Sequence, residues 1–178
     1  MTGTDERMLS PDYLDGLRRR TIEQVRDMRA ECLEVETGLS YLRRMVQGPI
    51  DIVTHEMRRR ASGEGAKDLA DIVADLPETL ADMPRPAGSG RLSQTLEPTF
   101  IDPELGAELE DLVGDPQMGD VTQLANSQLS GLLGRLRTFE SKVSELRRSY
   151  FEIIDSLQAE IARRYRDGEA NVESLLEE

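Results

Sequence analysis

The chain has 178 residues, of which 4% are aromatic and 32% charged, and its net charge is −13. With no Trp and so few aromatic residues it lacks the material for a thick sheet-based core, whereas a long helical hairpin needs only a narrow apolar seam. The acidic balance disfavours bare DNA or an anionic membrane as a direct partner, because phosphate binding wants a basic face, and it suits a basic protein instead. Cys32 is the single cysteine, which excludes a disulfide framework and a thiolate zinc site. The start, MTGTDERMLS, lacks the apolar core of a signal peptide, and no apolar run approaches membrane-spanning length. A cytoplasmic protein is expected.

Residues 1–13 read as a flexible N-terminus and residues 14–62 as a first long helix. Within it Val25, Met28, Cys32, Val35, Leu39, Leu42, Val46, Pro49 and Val53 alternate steps of three and four, the period of a coiled-coil seam. Gly48-Pro49 falls inside this helix, and an interior proline typically costs ~3 kcal/mol, so a kink or a break is expected there. Residues 63–119 form an acidic, Pro/Gly-rich connection. The stretch 64–128 holds 14 acidic residues against Lys67, Arg85 and Arg91, with Pro77, Pro84, Pro86, Pro98, Pro103 and Pro116. Short helices are expected at about Lys67–Leu76 and Pro103–Val113, the latter with Pro103 in its first turn. A second long helix, residues 120–167, repeats the seam at Leu136, Phe139, Val143, Leu146, Tyr150, Ile153 and Leu157. Gly168 follows a last turn rich in arginine and suits a helix stop, leaving 168–178 as a tail. The expected fold is all-α: a long antiparallel two-helix hairpin of coiled-coil type, with short helices in the connection.

A polar stripe runs beside each seam. Glu36, Ser40, Arg43, Gln47 and Asp51 step by four, three, four and four, which at about 100° per residue confines them to an arc of roughly 80°. Glu140, Ser144, Arg147, Phe151 and Asp155 repeat the spacing, and the neighbours correspond too: Leu42-Arg43-Arg44 with Leu146-Arg147-Arg148, and Ile50-Asp51 with Ile154-Asp155. In an antiparallel hairpin Glu36 would lie level with Asp155, Asp51 with Glu140, and Arg43 with Arg147. Facing arginines repel unless an anion lies between them. Carboxylates at the ends of the stripe can accept the paired N1–H and N2–H donors of guanine, and arginine can donate in parallel to guanine O6 and N7 or to phosphate. Such a stripe suits a two-fold ligand with guanines outside and phosphates inside. The plainer reading is that polar residues flanking a seam make surface ion pairs worth ~0.5 kcal/mol each. Ion pairing alone gives no reason for Ser and Asp to recur at matching places.

The run Leu39-Ser40-Tyr41-Leu42-Arg43-Arg44, then Gln47-Gly48 and Ile50-Asp51-Ile52, closely resembles the RsiG family of actinobacterial anti-sigma factors. So does Arg163-Arg164-Tyr165-Arg166 with Gly168-Glu169-Ala170. That family carries E-x-x-x-S-x-x-R-x-x-x-Q-x-x-x-D on each of two antiparallel helices. The resemblance covers both long helices and extends to Leu76–Asp82, which is similar to the family's central helix; roughly 84–120 has no counterpart. It implies a protein that binds cyclic di-GMP between the helices and, when loaded, holds a WhiG-type sigma factor away from RNA polymerase. The ligand residues it implies are Glu36, Ser40, Arg43, Gln47, Asp51, Glu140, Ser144, Arg147 and Asp155. Copy one is complete, but copy two has Phe151 where the signature has glutamine. Phe151 could stack on a base or extend the core, and packing is expected because a lone aromatic beside a seam is usually core.

No nucleophile–base pair, Gly-rich phosphate loop or zinc spacing is present in the sequence, so an enzyme is not expected. His55 has no nearby His or Cys to share a metal with, and Cys32 is expected to pack as a small apolar residue. With two motifs in one chain a monomer suffices for the complex. Two alternatives stay open: a coiled-coil adaptor without a small ligand, and an anti-sigma protein that acts without one.

Overall fold

Among the described residues seven segments of helix or 3-10 turn follow one another, several of them opened by a side-chain cap. The computed structural model describes residues 7–62 and 98–168. It has 3-10 turns at Pro11–Leu14 and Leu17–Arg19, then α1 (Ile22–Ser62), α2 (Pro103–Val113), α3 (Pro116–Gly119), a 3-10 turn at Val121–Gln123, and α4 (Asn126–Arg166). The fold is all-α, with α1 and α4 as the two long arms of an antiparallel hairpin.

The first helix begins eight residues later than its hydrophobic pattern suggests. Ser10 accepts a hydrogen bond from the Asp12 amide and opens a 3-10 turn with Pro11 in its first position. Gly16, at φ 68°, then turns the chain through the left-handed region that other residues avoid. α1 starts only at a capping box, where the Thr21 hydroxyl accepts from the Gln24 amide and Gln24 Oε1 accepts from the Thr21 amide. The residues before it are not loose from Arg7 onward: Met8 and Tyr13 are buried, and the Cys32 thiol donates to the Tyr13 phenol oxygen. α4 likewise begins at Asn126 rather than 120, because α3 and a 3-10 turn occupy the stretch before it. Its carboxyl end is closed by Gly168, at φ 71°.

Pro49 does not break α1, which is helical throughout Ile22–Ser62. The N–H that proline lacks would have bonded the Met45 carbonyl, and Met45 lies on the exposed side, where water can replace it. Helix α2 occupies Pro103–Val113 as expected, capped by Asp102 Oδ1 accepting from the Leu105 amide at 2.9 Å. The expected helix at Lys67–Leu76 and the stretch Leu76–Asp82 lie outside the described residues.

The chain divides into two packing units. The first comprises residues up to Arg43, Pro98–Glu108, and those from Ser141 onward. Its core is Val25, Met28, Cys32, Val35, Leu39 and Leu42 from α1 with Val143, Tyr150, Ile154, Leu157 and Ile161 from α4, closed by Leu105. Ile154, not Ile153, continues the seam; Ile153 is half-buried, lining a groove with Met8, Leu9, Pro11 and Leu14. In the same unit the chain at Phe100 crosses α1 at Gly38, so closely that a Cβ there would collide with the Phe100 carbonyl oxygen. The second unit holds residues 44–62 and 109–140 of the described chain. Its core is Val46, Val53, Leu109, Leu112, Val121, Leu129, Leu132, Leu133, Leu136 and Phe139.

One numerical relation runs through these elements. A shift of 104 residues carries Glu36 onto Glu140 and each later stripe position onto its counterpart. It also carries Leu17–Arg19 onto Val121–Gln123 and α1 onto α4, both 41 residues long. The structural repeat is therefore a 3-10 turn plus a helix, and the stripe is only its middle.

Candidate functional site

In the first unit the stripe brings together Glu36, Ser40 and Arg43 from α1 with Ser144, Arg147, Phe151 and Asp155 from α4. Arg147 Nε donates to Glu36 Oε1 at 3.0 Å, and the Ser40 hydroxyl donates to the same oxygen at 2.6 Å. Arg43 Nε donates to the Ser144 hydroxyl at 3.2 Å. The alignment expected Arg43 level with Arg147. Each arginine reaches an acceptor on the opposite helix, Arg43 the Ser144 hydroxyl and Arg147 the Glu36 carboxylate. The side chains of Arg147 and Glu36 are 23% and 13% exposed, wet enough for the ion pair to exchange partners yet shielded enough to hold.

Phe151 departs from expectation. It is 42% exposed and does not extend the core. Position 151 lies just outside the seam formed by Tyr150 and Ile154, and its ring carries the Arg147 guanidinium 5.1 Å from its centroid. Asp155 is exposed. The second unit holds the remaining stripe residues: Gln47 and Glu140 are half-buried and Asp51 is exposed. The stripe is thus accessible in both units.

The opposite flank of the first unit is covered. On a helix at about 100° per residue, Gly38 falls roughly 160° from Glu36. Phe100 lies on that flank, and Lys142, the counterpart of Gly38, bonds Glu108 there at 2.6 Å. Phe100 and Glu108 therefore lie away from the stripe. A small space lined by Val35, Leu39, Phe100, Asp102, Leu105, Leu146 and Tyr150 lies under it.

Sequence reasoning missed a second duplicated group. Glu56, fully buried, accepts from Arg59 at 2.7 Å and from Arg60 Nε at 2.6 Å. Arg60 then donates to the carbonyls of Val121 (3.4 Å), Thr122 (3.0 Å) and Leu124 (2.6 Å). In the first unit Glu160 accepts from Arg163 and Arg164, and Arg164 donates to the carbonyls of Leu17 (2.7 Å) and Arg20 (2.8 Å). Glu56-x-x-Arg59-Arg60 and Glu160-x-x-Arg163-Arg164 are again 104 residues apart, and so are Leu17 and Val121, and Arg20 and Leu124. In each unit the end of one helix thus hooks the turn that precedes the other. The Arg163 hydrogen bond, aided by Arg164, holds the Glu160 carboxyl down to about 2, and that of Arg59, aided by Arg60, lowers Glu56. The signal was present in the sequence as Glu-x-x-Arg-Arg at the same spacing.

Tyr165 donates its ring to the Arg26 guanidinium and accepts a hydrogen bond from it. No helix among the described residues is long and apolar enough to cross a membrane.

An antiparallel helical hairpin whose polar face and end clasps each occur twice is a duplicated two-helix protein. The chain belongs to the RsiG-like family, whose model matches residues 11–80 and 115–178. The matched ranges contain both stripes and both clasps. Membership carries an anti-sigma-factor type of role, with a sigma factor as the class of partner. No curated protein matches the chain.

Proposed function

We propose that this protein is an anti-sigma factor that binds cyclic di-GMP between its two long helices and, when loaded, sequesters a WhiG-type sigma factor from RNA polymerase. The observation that carries the reading is the convergence of Arg43 and Arg147 with Glu36, Ser40 and Ser144 on one half-exposed face of the first unit. The residue types fit the ligand. Arg43 and Arg147 present planar donors for phosphate oxygens or for guanine O6 and N7, and Ser40 and Ser144 add hydroxyls. Asp155 is an exposed carboxylate able to accept the paired N–H edge of guanine. In the second unit Asp51 is its equivalent, accompanied by Gln47 and Glu140.

The binding step replaces one set of contacts by another. Arg147 donates to Glu36 across the helix pair. A dianionic nucleotide offers the arginines better acceptors, so it ties α1 and α4 together through both guanidinium groups. The rigid face so made, on a chain of net charge −13, engages basic regions of the sigma factor.

The test is calorimetric titration of cyclic di-GMP into the whole chain and into Arg43→Ala and Asp155→Ala. Both substitutions should abolish binding and leave the helical content unchanged. Unchanged affinity in both removes the stripe from the mechanism. At 100 times its dissociation constant the ligand should add about 2.7 kcal/mol of stability. A ligand-independent adaptor would show none, and a ligand-independent anti-sigma protein would capture its sigma factor equally with and without the nucleotide.

A further inference from the structure

The two stripes agree at four of five positions and differ at one, where Gln47 in copy one corresponds to Phe151 in copy two. The difference is chemical as well as steric. A glutamine amide reads the edge of a base, because it donates and accepts in the base plane. A phenyl ring has no such groups and offers only a face.

That face is arranged for use. Phe151 is 42% exposed, beside the seam rather than in it. The guanidinium of Arg147 lies 5.1 Å from the ring centroid. Glu36 accepts from the Arg147 Nε at 3.0 Å, and Ser40 donates to the same carboxylate oxygen at 2.6 Å. Ring and guanidinium together form a planar surface on the flank of the first unit away from Phe100. Planar cations and aromatic rings are what nucleobases stack on, and stacking tolerates any base, because every base has a π-face.

We propose that Phe151, with Arg147 across its ring, is a base-stacking platform that holds one purine of the ligand by its face. At this one position copy two then holds the base by its face, whereas copy one, through Gln47, reads an edge. The protein should therefore accept a mixed cyclic GMP–AMP more readily than a chain with glutamine at both positions. This inference rests on the cyclic-dinucleotide reading above.

The experiment compares the full chain with Phe151→Leu, Phe151→Tyr and Phe151→Gln, each titrated with cyclic di-GMP and with cyclic GMP–AMP. Stacking on an aromatic side chain contributes enough that Phe151→Leu should weaken cyclic di-GMP by about ten-fold or more. Phe151→Tyr should bind like the wild type. Phe151→Gln should retain cyclic di-GMP and discriminate against cyclic GMP–AMP at least several-fold more strongly than the wild type does. Because the side chain is exposed, all three variants should keep the parental circular dichroism. Wild-type affinity in Phe151→Leu overturns the platform, including the case in which that variant instead loses only sigma-factor binding. Equal discrimination by wild type and Phe151→Gln also overturns it. In both cases the cyclic di-GMP function survives if the wild type binds the nucleotide. A wild type that binds no cyclic dinucleotide overturns both.

Discussion

Arg164 hooks the turn ahead of α1, and removing that hook should be felt well beyond the residue. Its side chain is buried at 5% exposure, and it donates to two backbone carbonyls, of Leu17 and Arg20, besides pairing with Glu160. In Arg164→Ala the carboxylate keeps Arg163, so the carbonyls account for most of the loss. Hydrogen bonds involving a charged group contribute about 1.5–3 kcal/mol each, so two of them set the expected destabilisation at about 3 kcal/mol. For a chain of this size each kcal/mol moves the melting temperature by roughly 2–4 °C, which puts the shift near 6–12 °C. Thermal unfolding followed by circular dichroism reads the size, and amide hydrogen exchange reads the place. Protection should fall first around residues 17–25 in Arg164→Ala and around residues 121–129 in Arg60→Ala. The exposed Arg166→Ala should change stability by no more than about 0.5 kcal/mol. Wild-type melting and unchanged local exchange in both clasp variants would refute the claim that these arginines hold the helix starts.

Acid should release the same clasps. The Glu160 carboxyl is held down to about 2 in the folded chain against an ordinary 4.5, so its stabilisation is fully present above pH 4.5 and disappears as pH falls toward 2. Glu56 is shifted in the same direction; Glu160→Gln should lower stability at neutral pH and flatten the acid-unfolding curve in that window. Gly38→Ala drives a methyl group into the Phe100 carbonyl and should cost about 1–3 kcal/mol, whereas Gly48→Ala, with nothing near its Cβ, should be neutral or stabilising in a thermal melt. A double-mutant cycle on Glu36 and Arg147 should give a coupling of no more than about 1 kcal/mol that shrinks with added salt, because both side chains keep some solvent access. A larger, salt-insensitive coupling would make that pair structural instead of exchangeable.

The seam was legible because a heptad-like spacing leaves few alternatives: Val25, Cys32, Leu42 and Val46 in α1 and Leu136, Phe139 and Val143 in α4 are buried as their spacing requires. It failed where a third segment changes what burial means. Ile153 reads as seam, yet it faces a groove made with Met8 and Leu14, and Ile154 takes the inner place. The start of α1 was misplaced because Leu14 and Leu17 continue the apolar pattern, while Gly16 and the Thr21–Gln24 box decide the conformation. The stripe could be read as two faces, but not which atoms pair across it. Arginine is long enough to choose a partner a turn away, so Arg43 takes Ser144 and Arg147 takes Glu36. The clasps escaped notice because Glu and Arg near a helix end are ordinary surface residues in sequence; only burial of Glu56 and Arg164 shows otherwise.

Gly38 has a consequence for how a partner meets this protein. A repeated helix, left alone, would offer the same kind of flank on either side of its seam, and a binding protein could approach from both. In the first unit the missing side chain at position 38 lets the Phe100 backbone lie against α1, and at the matching place Lys142 ties down Glu108. The absence of one carbon atom thus gives this stretch of a doubled helix a front, which carries the arginines, and a back, which carries the returning chain.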